Sequence, residues 1–309
     1  MSESKQRWRL VFRRDEAAMY LAHLDAVHAW ERAMRRGRIP VAVSEGFNPR
    51  PKLVFAAPLQ LGMLAEHELA DLYLAERLTA PDLRARLAAC LPPGYVVTDL
   101  HDVWVGAQAL APQLVAADYR ANVAGVGAAD LGAAVARLLA AGTLARERRR
   151  DKGAVRYDLR PLVMELRCTD PGAAPSTAPS AAPSAEPGAA PAPPVGSGHD
   201  VTNAGHDATL WMRLRHSQDA GTGRMEEVVA ALAEDVGLRF NWFGGDDGEP
   251  ASAATASSAA AEKAPATETV PAAPTSVPTS AAAGQVEVFL PVRERLWLAE
   301  ELPVAPRSV

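Results

Sequence analysis

Cysteine is the scarcest informative residue, with only Cys90 and Cys168 in 309 positions. Two thiols build no disulfide framework. They are also too few to hold a self-contained four-iron cluster, which needs at least three thiolates. Aromatics are sparse at 6%, and the apolar share of 48% is swollen by alanine, which buries little surface. No apolar run approaches the roughly 18 residues of a membrane span. The start, MSESKQRWRLVFRR, has no apolar segment of the signal-peptide kind, so a cytoplasmic protein is expected. No glycine-rich phosphate loop follows a strand. Gly125-Val126-Gly127 lacks the third glycine of a dinucleotide fingerprint.

The net charge of −5 excludes a generally basic nucleic-acid coat protein, but the charge is unevenly placed. Residues 1–60 carry eleven Lys/Arg against six Asp/Glu, which leaves the remainder at −10. A local basic face on an acidic chain suits an anionic partner such as a phosphate backbone. A solvated helix face would give the same count.

Periodicity supplies a first set of elements. Trp8, Leu10 and Phe12 alternate with Arg9, Val11 and Arg13, which predicts a half-buried strand. A helix is predicted over His23–Arg36, with Leu24, Val27, Trp30 and Met34 inward and Asp25, His28, Arg32, Arg35 and Arg36 outward. Gly37 ends it. A short strand at Val41–Ser44 leads to Glu45-Gly46-Phe47-Asn48-Pro49-Arg50-Pro51-Lys52, where two X-Pro steps forbid a helix. Strands follow at Leu53–Ala57 and Glu68–Leu74. A helix capped by Thr79 runs to Cys90, and a strand covers Tyr95–Val103.

A similar order restarts downstream. It comprises a strand at Leu114–Val123, a helix at Asp130–Ala140, and a hairpin at Leu144–Asp158. Strands at Leu162–Cys168 and Thr209–Arg215, a helix at Arg224–Leu232 and a strand at Val286–Leu290 complete it. The expected fold is α+β: tandem ferredoxin-like (split βαβ) domains with mostly antiparallel sheets, at residues 1–105 and 106–309. Residues 171–208 and 246–284 are almost wholly Ala, Pro, Ser, Thr and Gly. They are expected to be disordered inserts within the second domain.

Three segments, Ala22-His23-Leu24-Asp25, Glu31-Arg32-Ala33-Met34-Arg35-Arg36 and Gly46-Phe47-Asn48-Pro49-Arg50-Pro51-Lys52, resemble a bacterial family. It is the radical-SAM-linked domain of unknown function, found alone or fused to cobalamin-binding-type radical SAM proteins. Leu59, Gly62, Glu68, Asp71 and Leu91-Pro92-Pro93-Gly94 extend the resemblance over about residues 7–170. Two positions depart from the family pattern. Ala22 replaces a usual serine, removing a helix cap. Glu45 replaces a usual glutamine, placing an acid in the loop.

The resemblance implies a partner rather than an activity. That partner is a radical SAM protein, which would carry the iron–sulfur cluster and S-adenosylmethionine, while this chain carries no cofactor of its own. It also implies a setting in RNA maturation or modification, with tRNA or rRNA as the candidate RNA. The expected role is a non-catalytic accessory subunit that binds RNA or presents substrate. A pure protein-interaction module and an endoribonuclease are the alternatives.

The candidate binding residues are His23, Asp25, Arg32, Arg35, Arg36, Phe47, Asn48, Arg50 and Lys52. Arginines contact phosphates bidentately, and an exposed phenylalanine stacks an unpaired base. The same residues also admit a structural reading, with a Glu31–Arg35 pair, an Asp25–His28 bond and Phe47 as a core plug. His23 is the candidate acid/base of the nuclease alternative, because ferredoxin-like RNA endonucleases often carry a histidine near the first helix. Its angle places it beside Val27 and Trp30, and Asp25 lies on another face, so the two form no dyad. Arg146, Arg148, Arg149, Arg150, Lys152, Arg156 and Arg160 form a second basic cluster. Its readings are an extended RNA footprint or a guard against edge pairing. Glu66, His67, Glu68 and Asp71 present at most two ligands to one face, short of a metal site.

Overall fold

The computed structural model describes residues 4–45, 47–150, 153–171, 206–242 and 285–301. The greater part of both expected inserts, 172–205 and 246–284, lies outside the described residues. The fold is α+β, with one large, mostly antiparallel sheet and four α-helices among the described residues.

The first half runs β1 (Gln6–Arg14), α1 (His23–Arg36), β2 (Leu53–Phe55), β3 (Leu64–Leu74), α2 (Ala80–Cys90) and β4 (Tyr95–Val103). Its strands lie in the order β4-β1-β3-β2, all pairs antiparallel. The second half runs β5 (Leu114–Ala124), α3 (Ala128–Ala140), a separate hairpin of β6 (Ala145–Arg150) and β7 (Gly153–Asp158), and β8 (Val163–Thr169). It continues with β9 (Ala208–Ser217), β10 (Gly221–Thr222), α4 (Met225–Asp235), β11 (Arg239–Trp242) and β12 (Gln285–Leu298). There the order is β12-β5-β9-β8. The halves meet where β12 runs parallel to the start of β3, pairing Val292 with Leu64 and Arg293 with Ala65.

Local chemistry explains most of these elements. Trp8, Leu10 and Phe12 pack under α1 and α2, as alternation predicts. The opposite face of β1 is not solvated, because β1 is central. Arg7 is fully buried, held by Asp71 at 2.5 Å and by the Ala107 and Gln108 carbonyls. In α1 the buried residues are Ala26, Trp30, Ala33 and Met34, the i, i+4, i+7, i+8 stripe. Leu24 does not belong to it. It sits about 135° from the centre of that stripe at 100° per residue, and is 53% exposed. Two alanines let the helix approach the sheet closely, which the larger side chains alone did not indicate. Ala22 makes no side-chain cap.

Gly37 closes α1 for a different reason from the expected one. Its φ is −73°, an ordinary helical value, and the positive φ belongs to Arg38 at 49°. A Cβ on Gly37 would lie 2.7 Å from Cys90 Sγ, so the glycine lets the ends of α1 and α2 touch. In α2, Thr79 accepts from the Asp82 backbone N–H at 3.3 Å, as predicted.

Three strand predictions shift. Val41 and Val43 form single bridges, to Leu74 and Pro51, rather than a strand, since Pro40, Pro49 and Pro51 cannot donate to a ladder. The strand predicted from Glu68 begins at Leu64. The irregular register between Phe12 and Arg14 breaks the alternation there. The last strand continues through Pro291 to Leu298, with a register shift between Phe289 and Val292. Its Arg293-Glu294-Arg295 run hid it, although Arg293 is buried against Glu68, and Glu294 and Arg295 pair with Arg120 and Glu301.

Candidate functional site

Two places collect function-like residues. The first is the outer face of α1 and the loop after it. Asp25, His28, Arg32, Arg35 and Arg36 are exposed, as predicted. Arg36 donates to the Cys90 carbonyl at 3.2 Å. Arg32 and Arg35 form no ion pair among the described residues, so the expected Glu31–Arg35 pair is absent, as is an Asp25–His28 bond. The loop is pinched at its base. Ser44 and Arg50 bond through the Ser44 N–H to Arg50 O at 2.8 Å and the Arg50 N–H to Ser44 Oγ at 3.0 Å. Phe47 stands beyond this pinch, wholly exposed, and is not a core plug. Asn48 and Arg50 are exposed beside it, while Gly46 lies outside the described residues. Lys52 is half-buried, its backbone pairing with Ala42 and Tyr73.

The second place lies at the seam of the two halves, and only His23 of the predicted residues reaches it. Phe12, Arg14, His23, Ala26, Phe55, Ala57, Leu59, Glu68 and Tyr95 enclose a cavity of about 20 Å³, the room of one water. Arg293 of β12 reaches in from the other half. It donates to both Glu68 oxygens, at 2.6 and 2.5 Å, and to the Pro58 carbonyl at 3.1 Å. Both partners are about 3% exposed. Arg14 is as deeply buried and has no carboxylate of its own. Its donors go to the carbonyls of Met63 (3.0 and 2.5 Å), Gln60 (2.6 Å) and Leu21 (3.2 Å).

Electrostatics follow from this burial. Burial lowers the Arg14 pKa, while Tyr95 and Glu68 counter it. Burial opposes the charge of Arg293 too, but Glu68 and Tyr119 hold its pKa above the ordinary value. Burial, Arg293 and Arg14 push the His23 pKa down, against the pull of Glu68, so the ring is neutral at pH 7. It leans edge-on against Phe55, with ring centroids 5.8 Å apart, and neither nitrogen has a hydrogen bond among the described residues. Burial raises the hydroxyls of Tyr95 and Tyr119.

His216 of β9 also lies near Arg293. Burial and that guanidinium lower its pKa to about 4, and its Nδ1 is buried without a partner. A histidine pKa depressed by folding stabilises fully above about 6.5 and loses that contribution as pH falls toward 4. The contribution is on the order of 2 kcal/mol, allowing for its partial exposure. We therefore expect urea stability to fall between pH 7 and pH 4.5, and to fall distinctly less in His216→Phe. Equal falls in both proteins would show that His216 does not titrate in this way.

The other clusters are structural. Asp71 holds Arg7 and Arg9, and Glu66 holds Arg120 at 3.2 Å. Arg146 and Arg148 bind Glu234 and Glu227 of α4, at 2.5 and 2.7 Å, and Arg156 pairs with Glu147. Arg146 and Arg148 therefore dock the β6–β7 hairpin on α4. The side chains of Arg149, Arg150 and Lys152 lie outside the described residues.

Sequence reasoning missed Arg14, Tyr95, Glu68, Arg293 and His216 as a group. Glu68 among the inward positions of an alternating strand, and Arg293 in a strand-like stretch, were the available signals. Nothing local indicated that these two would meet.

Comparison with known proteins adds a family. The family model DUF2344, described as an uncharacterized protein conserved in bacteria, matches residues 7–184. No curated protein matches the chain. A crystal structure of an unknown protein from Galdieria sulphuraria is 16% identical, covering 75% of this chain and 91% of that one, with a TM-score of 0.20. Among the described residues, no helix is long and apolar enough to cross a membrane.

Proposed function

The chain belongs to the DUF2344 family of uncharacterized conserved bacterial proteins, and from that premise we propose that it is a non-catalytic RNA-binding accessory protein. It presents single-stranded or looped RNA to a separate enzyme, and by the resemblance above that enzyme is a radical SAM protein. We read residues 1–105 and 106–309 as tandem ferredoxin-like units. The strand orders β4-β1-β3-β2 and β12-β5-β9-β8 support this reading.

One observation carries the proposal. Arg32 and Arg35 are exposed and without a carboxylate partner among the described residues, and the same stretch of chain exposes Phe47 completely. Unpaired guanidiniums bind phosphates, and a free aromatic ring stacks a base. Each phosphate contact on a single strand contributes about 0.7 to the slope of log K against log salt. Arg32→Ala and Arg50→Ala should each weaken binding of a mixed-sequence RNA and lower that slope by about 0.7. Phe47→Ala should weaken binding by about 1–3 kcal/mol with the slope unchanged. Unchanged affinity and slope in both arginine variants would refute RNA binding at this face.

A second reading has one observation of its own. The His23 ring lies beside Tyr95 and Arg14 with no hydrogen bond to either nitrogen among the described residues, which leaves it available to a substrate proton. Incubation with total RNA separates the readings. Discrete products lost in His23→Ala favour the nuclease, and their absence favours the accessory role.

A further inference from the structure

The exposed basic face is not where the excess buried charge lies. Arg14 and Arg293 place two guanidiniums in the seam, against the single carboxylate of Glu68. A buried cation without a counter-ion is expensive, and Arg14 is met by four carbonyl bonds and the Tyr95 side chain, with no carboxylate in direct contact. Arg293 binds Glu68, the Pro58 carbonyl and the Tyr119 side chain. His23, Tyr95 and Arg14 line the same cavity, and Glu68, already engaged by Arg293, is its one carboxylate. His23 is half-buried, so the cavity's wall reaches the surface at the first turn of α1.

We propose that this seam is an oxyanion site, and that its ligand is a terminal phosphate monoester of RNA which inserts one oxygen into the cavity beside His23, Arg14 and Tyr95. The volume fixes the manner of entry, since about 20 Å³ admits a single oxygen-sized group and excludes a base or sugar. The rest of the phosphate stays at the mouth. Thirteen residues of α1, about 20 Å of helix, lead from His23 past Arg32 and Arg35 to Arg36. Arg32, Arg35 and Arg36 lie about 120–180° around α1 from His23 at 100° per residue, so an RNA end held in the seam reaches that face by passing around the helix. This assignment deepens the RNA-binding reading and rests on it for the choice of phosphate over carboxylate.

The test uses the full chain and small probes. Inorganic phosphate, uridine 3′-monophosphate, uridine 5′-monophosphate, uridine and acetate are titrated while the His23 imidazole signals are followed by NMR. Those signals are assigned by their loss in His23→Phe. The phosphate-bearing probes should shift them saturably, uridine and acetate should not, and the two monophosphates reveal which RNA end is held. Tyr95→Phe removes one hydroxyl without changing volume and should weaken binding about tenfold, the worth of one hydrogen bond to a charged group. An Arg32→Ala/Arg50→Ala double variant should keep monoester binding while losing RNA affinity. Silence of His23 toward all phosphate probes overturns the site, as does an equal response to acetate or monoester binding retained in His23→Phe. Salt-dependent RNA binding with a silent His23 removes the site alone. Monoester binding without RNA binding leaves the site standing and removes the reading on which its ligand was chosen.

Discussion

Glu68→Leu should destabilise the protein by about 3–5 kcal/mol, because it leaves the Arg293 guanidinium buried without its carboxylate. The pair is bidentate and about 3% exposed on both sides. The carboxylate is therefore the neutralising partner of a charge that cannot move to solvent. The double variant Glu68→Leu/Arg293→Met should recover much of the loss. It removes both charges together and leaves the Pro58 carbonyl unmatched, at about 1–3 kcal/mol. Urea unfolding of the two single variants and the double gives the coupling directly. A single variant within about 1 kcal/mol of the parent would mean that water or a rearranged partner reaches Arg293.

Trp30→Ala should lose about 3–5 kcal/mol, through lost transfer energy and the cavity left behind. Trp30 is fully buried between Phe12, Phe55 and Tyr95, with ring centroids 5.0, 5.4 and 5.4 Å away. Trp30→Phe should cost much less. The indole N–H of Trp30 is buried without an acceptor, and phenylalanine removes that liability along with part of the ring. The contrast between the two variants is the informative quantity. If phenylalanine is as damaging as alanine, the partial ring does not fill this core usefully, and removing the unpaired N–H brings no relief.

Much of the first half was legible because its elements obey local rules. α1, α2 and β4 have capping, breaking or alternating residues at their ends, and their bounds match the expected ones. β12 was not legible beyond its first residues. Its buried Arg293 looks like a surface charge until Glu68 is placed against it. The same long-range pairing hid the seam. His23 was named from its place near a helix start, whereas Arg14, Glu68, Tyr95 and His216 acquire meaning only through one another. The face of α1 was the reverse case. Arg32, Arg35 and Arg36 are exposed as their spacing indicates, but Phe47, which sequence left open as core plug or exposed ring, needed the structure to be placed outside.

The parallel join between β3 and β12 has a consequence for the birth of the protein. Glu68 and Arg293 are 225 residues apart in the chain. At roughly 5–20 residues per second on the ribosome, the carboxylate waits about 10–45 s for its guanidinium. During that interval the start of β3 is an open hydrogen-bonding edge beside a carboxylate with no mate. The nascent first half is then most stable with Glu68 turned to solvent, and must rearrange when β12 arrives. Translation speed across the long alanine- and proline-rich stretches sets how long that edge stays open to other chains.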